Sequence, residues 1–241
     1  DMESPLPMNR LLQGDVGSGK TVVAVITMII AINNGYQAVL MAPTEILAQQ
    51  HYKNISKTLE ILGLKVNLLI GSQKKSERTI ILESVLSGET SVLIGTHALI
   101  EDKVEFNKLG LVIIDEQHRF GVNQRALLID KGVTPDILVM SATPIPRTLS
   151  MTIYGDLDLS IINEMPIGRL PIKTYLRSDN SLPDIYKYVV DNSKKGFQSF
   201  IVYPLVEESE KLELKAAETH FAQLSNNELK DVRVALIHGK M

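Results

Sequence analysis

With 241 residues, 44% of them hydrophobic, and a net charge of −3, the chain can bury a core large enough for one full domain and part of another, and it is not a basic protein that coats nucleic acid. Any contact with a nucleic acid must therefore come from a local patch. The lack of cysteine excludes disulfides and thiolate metal sites and fits a reducing compartment, no signal peptide stands at the front, and the apolar run Val22–Ile32 is too short to span a bilayer.

Met8 to Gln13 reads as a buried strand and Val22–Ile32 as an apolar helix. Between them lies Gly14-Asp15-Val16-Gly17-Ser18-Gly19-Lys20-Thr21, which fits G-x-x-x-x-G-K-[ST], the phosphate-binding P-loop. Its glycines let the backbone turn tightly and aim successive N–H groups inward as an anion nest. The following helix adds its positive N-terminal end. Lys20 supplies a mobile cation for the β- and γ-phosphates of a nucleoside triphosphate, and Thr21 a hydroxyl for Mg²⁺. A flexible Gly/Ser turn would match the pattern by chance, but the strand–loop–helix setting is the one the motif requires. A chain that opens at Asp1, just before a central strand, reads as a piece of something longer.

Further on, Gln37–Ala42 is a predicted strand. Thr44 is placed to cap a helix running from Glu45 to about Leu62, ended by Gly63. Val66–Ile70 is a short strand, Gly71–Lys75 a basic turn, Glu77–Leu86 a helix, and Ser91–Ile94 a strand closing on Gly95-Thr96-His97. Leu111–Ile114 is a fully apolar strand that stops at Asp115-Glu116. Gly121–Asp130 reads as a helix, Asp136–Met140 as a strand ending in Ser141-Ala142-Thr143, and Arg147–Tyr154 as a helix. Such alternation predicts a parallel sheet covered by helices on both faces, with functional residues just beyond the carboxyl ends of its strands. Pro166–Pro171 is a linker candidate. Beyond it a new β/α series is expected: strands at Ile172–Leu176, Gln198–Tyr203 and Val232–Ile237, helices at Leu182–Ser193 and Glu207–Leu224.

An apolar strand ending in Asp115 is the Walker B pattern. Asp115 would share Mg²⁺ with Thr21, and Glu116 is placed to polarise an attacking water. His118 has no partners at zinc spacing and is read as a hydrogen-bonding residue. Ser141 and Thr143 suit two roles equally: capping at a strand end, or a polar relay from the nucleotide site to the next domain. The loops Pro43-Thr44-Glu45, Gly71–Lys75 and Gly95-Thr96-His97 offer hydroxyls, amides and lysines suited to a phosphate backbone. Each also suits a plain cap or solvated turn. On the helix that begins at Glu45, Gln49, Gln50, His51, Lys53 and Lys57 suit the same contact or simply form its wet face.

In order, these segments resemble the superfamily 2 helicases: GDVGSGKT their motif I, APTEILAQQH (Ala42–His51) motif Ia, GTHALI (Gly95–Ile100) motif Ib, DEQH motif II and SAT motif III. The longer strings DEQHRFG (Asp115–Gly121) and SATPIPRT (Ser141–Thr148) resemble the group that holds the RecG branched-DNA helicases and the transcription-repair coupling translocases. YGDLDLS (Tyr154–Ser160), Gly168-Arg169 and YPLVEESE (Tyr203–Glu210) look like the RecG family, and Gln117 stands where the coupling factors usually carry Glu.

The resemblance implies a RecA-like P-loop domain over 1–165, a linker and first strand over 166–178, and the start of a second RecA-like domain over 179–241. It implies ATP and Mg²⁺ as cofactors, and branched duplex DNA (stalled forks, Holliday junctions) as the partner of a monomeric, bacterial cytoplasmic helicase that needs no membrane. Lys20, Asp115, Glu116 and His118 would be catalytic. Gly14 to Thr21 would hold the nucleotide, Thr21 and Asp115 the metal, and Thr44, Gly95 and Thr96 the nucleic acid. Gln117, Ser141 and Thr143 would couple the two. The chain carries neither the family's N-terminal wedge domain nor its motifs V and VI with their arginine finger. It is therefore expected to be a fragment that hydrolyses ATP slowly by itself. Two other functions fit the residues: a transcription-repair coupling translocase, or a P-loop switch that does not translocate.

Overall fold

The computed structural model describes residues 1–101, 103–116, 122–143, 157–164, 172–202 and 210–237, with the backbone alone for 122–125 and 210–217. Two compact units result, Asp1–Arg169 and Leu170–Met241.

In the first unit each run of branched apolar residues between Gly, Pro or Asn punctuation becomes a strand or a covering helix. The elements are β1 (Asn9–Gly14), α1 (Lys20–Asn33), β2 (Gln37–Met41), α2 (Glu45–Glu60), β3 (Val66–Leu69), α3 (Lys75–Leu86), β4 (Val92–Gly95), a 3₁₀ turn (His97–Ile100), β5 (Leu109–Asp115), α4 (Val122–Ile129), β6 (Asp136–Ser141) and β7 (Asp158–Ile162). The strands form one seven-stranded sheet in the order β3-β4-β2-β5-β6-β1-β7, and every pair is parallel.

A parallel sheet must be covered on both faces, because its strands are apolar on both. Alternation along each strand shows how this is done. Ala38, Leu40, Leu111 and Ile113 pack with Ala24, Met28, Ala48 and Ile55 of α1 and α2. Their neighbours Val39, Met41, Val112 and Ile114 pack on the other face with Val85 of α3, Leu99 of the 3₁₀ turn and Leu128 of α4. The layered burial fixes strand register, since a slip of one residue would exchange the two sets.

Helix α2 starts where the sequence predicts. Thr44 has extended backbone angles (φ −135°, ψ 155°), and its hydroxyl accepts the Leu47 N–H at 3.3 Å. Thr44→Ala is expected to cost about 1 kcal/mol of stability through loss of this cap, measurable by urea titration.

Two features depart from the sequence reading. β7 was not among the expected strands, and it pairs with β1 in register Arg10↔Asp158 through Gly14↔Ile162. It is a short edge strand opened by a charged residue, so it carries little apolar signal of its own. In the second unit the described elements are helices, α5 (Leu182–Lys194) and α6 (Glu210–Asn226). The strands expected at Ile172–Leu176, Gln198–Tyr203 (described to residue 202) and Val232–Ile237 are not formed there. A strand exists by pairing with a neighbour, and the first two of these segments leave their apolar side chains outside, with Leu176 96% and Val202 83% exposed. The expected helix Arg147–Tyr154, the linker candidate 166–171, and residues 203–209 and 238–241 lie outside the described residues.

Candidate active site

The loop between β1 and α1 has the geometry its glycines allow. Gly17 (φ 81°) and Gly19 (φ 102°) occupy left-handed conformations. Ser18 N–H closes the turn onto Asp15 O at 3.1 Å. A side chain at Gly14 would come within 2.5 Å of Ser18 Oγ and 3.1 Å of Ile162 Cβ, so the loop's first glycine sits where Ser18 and β7 both crowd the backbone. Lys20 folds back over the loop, its Nζ donating to Gly14 O at 2.7 Å and Asp15 O at 2.9 Å. α1 begins without a side-chain cap, and the buried Ser18 hydroxyl has no hydrogen-bond partner among the described residues. Open helix N–H groups, an unmatched hydroxyl and a lysine together form a donor-rich cradle that fits an anionic group such as a triphosphate.

Asp115 closes β5, two places from β1 in the sheet and on the same carboxyl edge. Its Oδ2 accepts a hydrogen bond from His51 Nε2 at 2.8 Å, and both side chains are only 13% exposed. The wet face of α2 was one of the readings the sequence left open for His51, and the structure excludes it. β2, which feeds α2, is the sheet neighbour of β5, so a residue two turns into α2 overhangs the end of β5. Glu116 follows with φ 51°, a left-handed conformation costing a non-glycine residue about 1 kcal/mol or more, held by its N–H bonding Met140 O at 3.0 Å. Thr21 lies in the first turn of α1. Gln117 and His118 lie outside the described residues.

β6 connects these strands. Gln13 and Ser141 are paired in register, and Gln13 Nε2 donates to Thr143 O at 3.0 Å. The Ser141 and Thr143 hydroxyls bond each other at 3.0 Å. Ser141 and Thr143 are thereby tied to the strand that carries the P-loop. Gln13 was not singled out from sequence, and only its parallel pairing with β6 shows what it does.

The loops after β2, β3 and β4 lie together on the far half of the same edge. The Glu45 carboxylate accepts Ser72 N–H at 3.0 Å and Ser72 O–H at 2.6 Å. The Ser72 hydroxyl is the chief cause that holds Glu45 below the ordinary carboxylate range; partial desolvation opposes it, and the Ser72 and Gly71 amides and His97 reinforce it. A lowered folded-state value means this contribution is full above the ordinary carboxylate pKa and is lost as pH falls through the lowered one. Protection of the Ser72 amide from hydrogen exchange should therefore drop at acid pH, and Glu45→Gln should remove that dependence. Lys74, Lys75 and His97 are exposed, whereas Gly95 and Thr96 are buried.

Residues 5–152 match the DEAD/DEAH box helicase family. The chain belongs to that family. Membership implies ATP use. Over its whole length this helicase-family chain is 54% identical to the ATP-dependent DNA helicase RecG of Aquifex aeolicus, covering 31% of that protein. It is likewise 52% identical to RecG of Streptococcus pneumoniae, covering 36%. A solved structure of RecG bound to a three-way DNA junction matches with 45% identity and a TM-score of 0.79, over 95% of this chain and 30% of that one. The chain thus spans between 31% and 36% of the length of these two curated relatives. The yeast DEAD-box splicing factor Prp28, 18% identical with a TM-score of 0.53, shares the fold. The parallel sheet covered on both faces is accordingly a RecA-like helicase domain.

Proposed function

We propose that the chain is the motor segment of a RecG-like ATP-dependent DNA helicase, which couples ATP hydrolysis to remodelling of branched DNA in bacterial recombination and repair. The observation that carries this is the whole-length similarity to RecG, joined to a sheet that presents the P-loop and the Asp115-Glu116 pair on one edge. The loop Gly14, Asp15, Val16, Gly17, Ser18, Gly19 binds the phosphates through backbone N–H groups, and Lys20 leaves its carbonyls to pair with them. Thr21 and Asp115 offer the hydroxyl and carboxylate oxygens that suit Mg²⁺, a hard cation content with few protein ligands. When bound, that ion offsets charge on the β- and γ-phosphates. Glu116 orients and deprotonates the attacking water, with His118 beside it in sequence as a hydrogen-bonding partner. Thr44, Gly95 and Thr96 belong to the rim that meets the DNA backbone. Gln117, Ser141 and Thr143 couple the two sites. The domain limits 1–165, 166–178 and 179–241, a monomeric state and a cytoplasmic location are parts of the same proposal.

The test is ATPase and unwinding assays on the full-length protein with fork, duplex and single-stranded DNA. Turnover highest on forks, with strand separation, is expected. Equal turnover on plain duplex without fork unwinding would favour the coupling translocase, and nucleotide binding with no DNA-stimulated turnover would favour the switch.

A further inference from the structure

The His51–Asp115 contact is the feature of this edge that the motif pattern leaves without a role. The two residues are 64 apart in sequence, yet their side chains meet at 2.8 Å, both largely shielded from water. A carboxylate has no proton to give, so Nε2 carries the hydrogen and donates it. The bond engages Oδ2 alone, and Oδ1 accepts none among the described residues.

We propose that His51 is a positioning residue for the metal site, holding the Asp115 carboxylate so that its second oxygen is presented to the ion. This rests on the assignment of Asp115 as a metal ligand above. The physical need is plain. The terminal torsion of an aspartate is broad, so a carboxylate at a strand end does not hold one orientation by itself. A buried carboxylate without a donor also carries a desolvation cost. His51 meets both needs from a rigid ring on a helix whose start is fixed by the Thr44 cap and the Glu45–Ser72 bonds. Partners of this kind, one bond removed from a metal, typically change its affinity about 10–100-fold when removed.

The experiment measures affinity of the full-length protein for a fluorescent ADP analogue with and without Mg²⁺, in wild type, His51→Ala, His51→Gln, Asp115→Asn and the His51→Ala/Asp115→Asn double variant. Thermal melts show that each is folded. His51→Ala is expected to leave metal-free nucleotide affinity unchanged and to cut the gain conferred by Mg²⁺ about tenfold. His51→Gln, whose amide can donate from a similar position, should restore part of it. In the double variant His51→Ala should add nothing to the loss caused by Asp115→Asn. A full Mg²⁺ gain in His51→Ala, while Asp115→Asn loses it, overturns the role of His51 and leaves the metal assignment standing. A full gain in Asp115→Asn overturns the metal assignment itself. A fall in metal-free affinity equal to the fall with Mg²⁺ would mark His51 as merely structural and also overturn the proposal.

Discussion

Lys20→Ala in the full-length protein is expected to lower kcat/KM for ATP by on the order of 10²–10³-fold, the loss typical of removing a single donor aimed at developing charge. Lys20 is the cation whose Nζ lies over the loop, held at 2.7 Å and 2.9 Å by the carbonyls of Gly14 and Asp15. A lysine parked on neutral carbonyls can exchange them for a phosphate without breaking an ion pair. Lys20→Arg should rescue little, because a planar fork cannot occupy the place of a compact ammonium. The substitution lies at the edge of the sheet, outside both buried clusters, so the melting temperature should change little. Steady-state ATPase assays with a thermal melt decide the matter. Undiminished hydrolysis would show that the catalytic site lies elsewhere.

Gly95→Ala is expected to act on the fold. A Cβ there would sit 2.2 Å from Leu69 O and 3.0 Å from Leu99 Cγ. Leu69 is the registered partner of Gly95 across β3 and β4, and its carbonyl accepts the Thr96 N–H. The backbone cannot yield without opening that edge, so we expect a loss of about 1–3 kcal/mol or more. In a protein of this size that corresponds to roughly 2–4 °C in Tm per kcal/mol. An unchanged Tm would refute the steric account. The glycine of this motif thus has a packing reason that operates whether or not DNA is present.

Most of the first unit was legible because its strands are apolar on both faces and its turns are marked by Gly, Pro and Asn. Leu111–Ile114 and Gln37–Ala42 needed no partner to be recognised. The P-loop was legible for a different reason, since its chemistry depends on adjacent residues. What stayed hidden depends on strand order. Gln13 meets Thr143 and His51 meets Asp115 only because β1 lies beside β6 and β2 beside β5. A helical histidine among glutamines and lysines gives no sign that one face of the helix overhangs a distant strand. Asp158–Ile162 escaped notice because an edge strand is defined by the neighbour it joins. The converse error occurred at Ile172–Leu176, where a strand-like composition has no ladder to join.

The strand order also has a consequence for biosynthesis. β1 does not pair with β2, its successor in the chain; its partners are β6 and β7. The Met8 N–H, at the threshold of β1, donates to Asp136, 128 residues away. During synthesis, at about 5–20 residues per second, β1 must wait until β6 and β7 have left the ribosome before it can be seated. β2, β3, β4 and β5 can assemble among themselves earlier. Of the motifs this sheet carries, the first to be translated is therefore the last to be framed, and capture of nucleotide by a nascent chain would mark completion of the whole sheet.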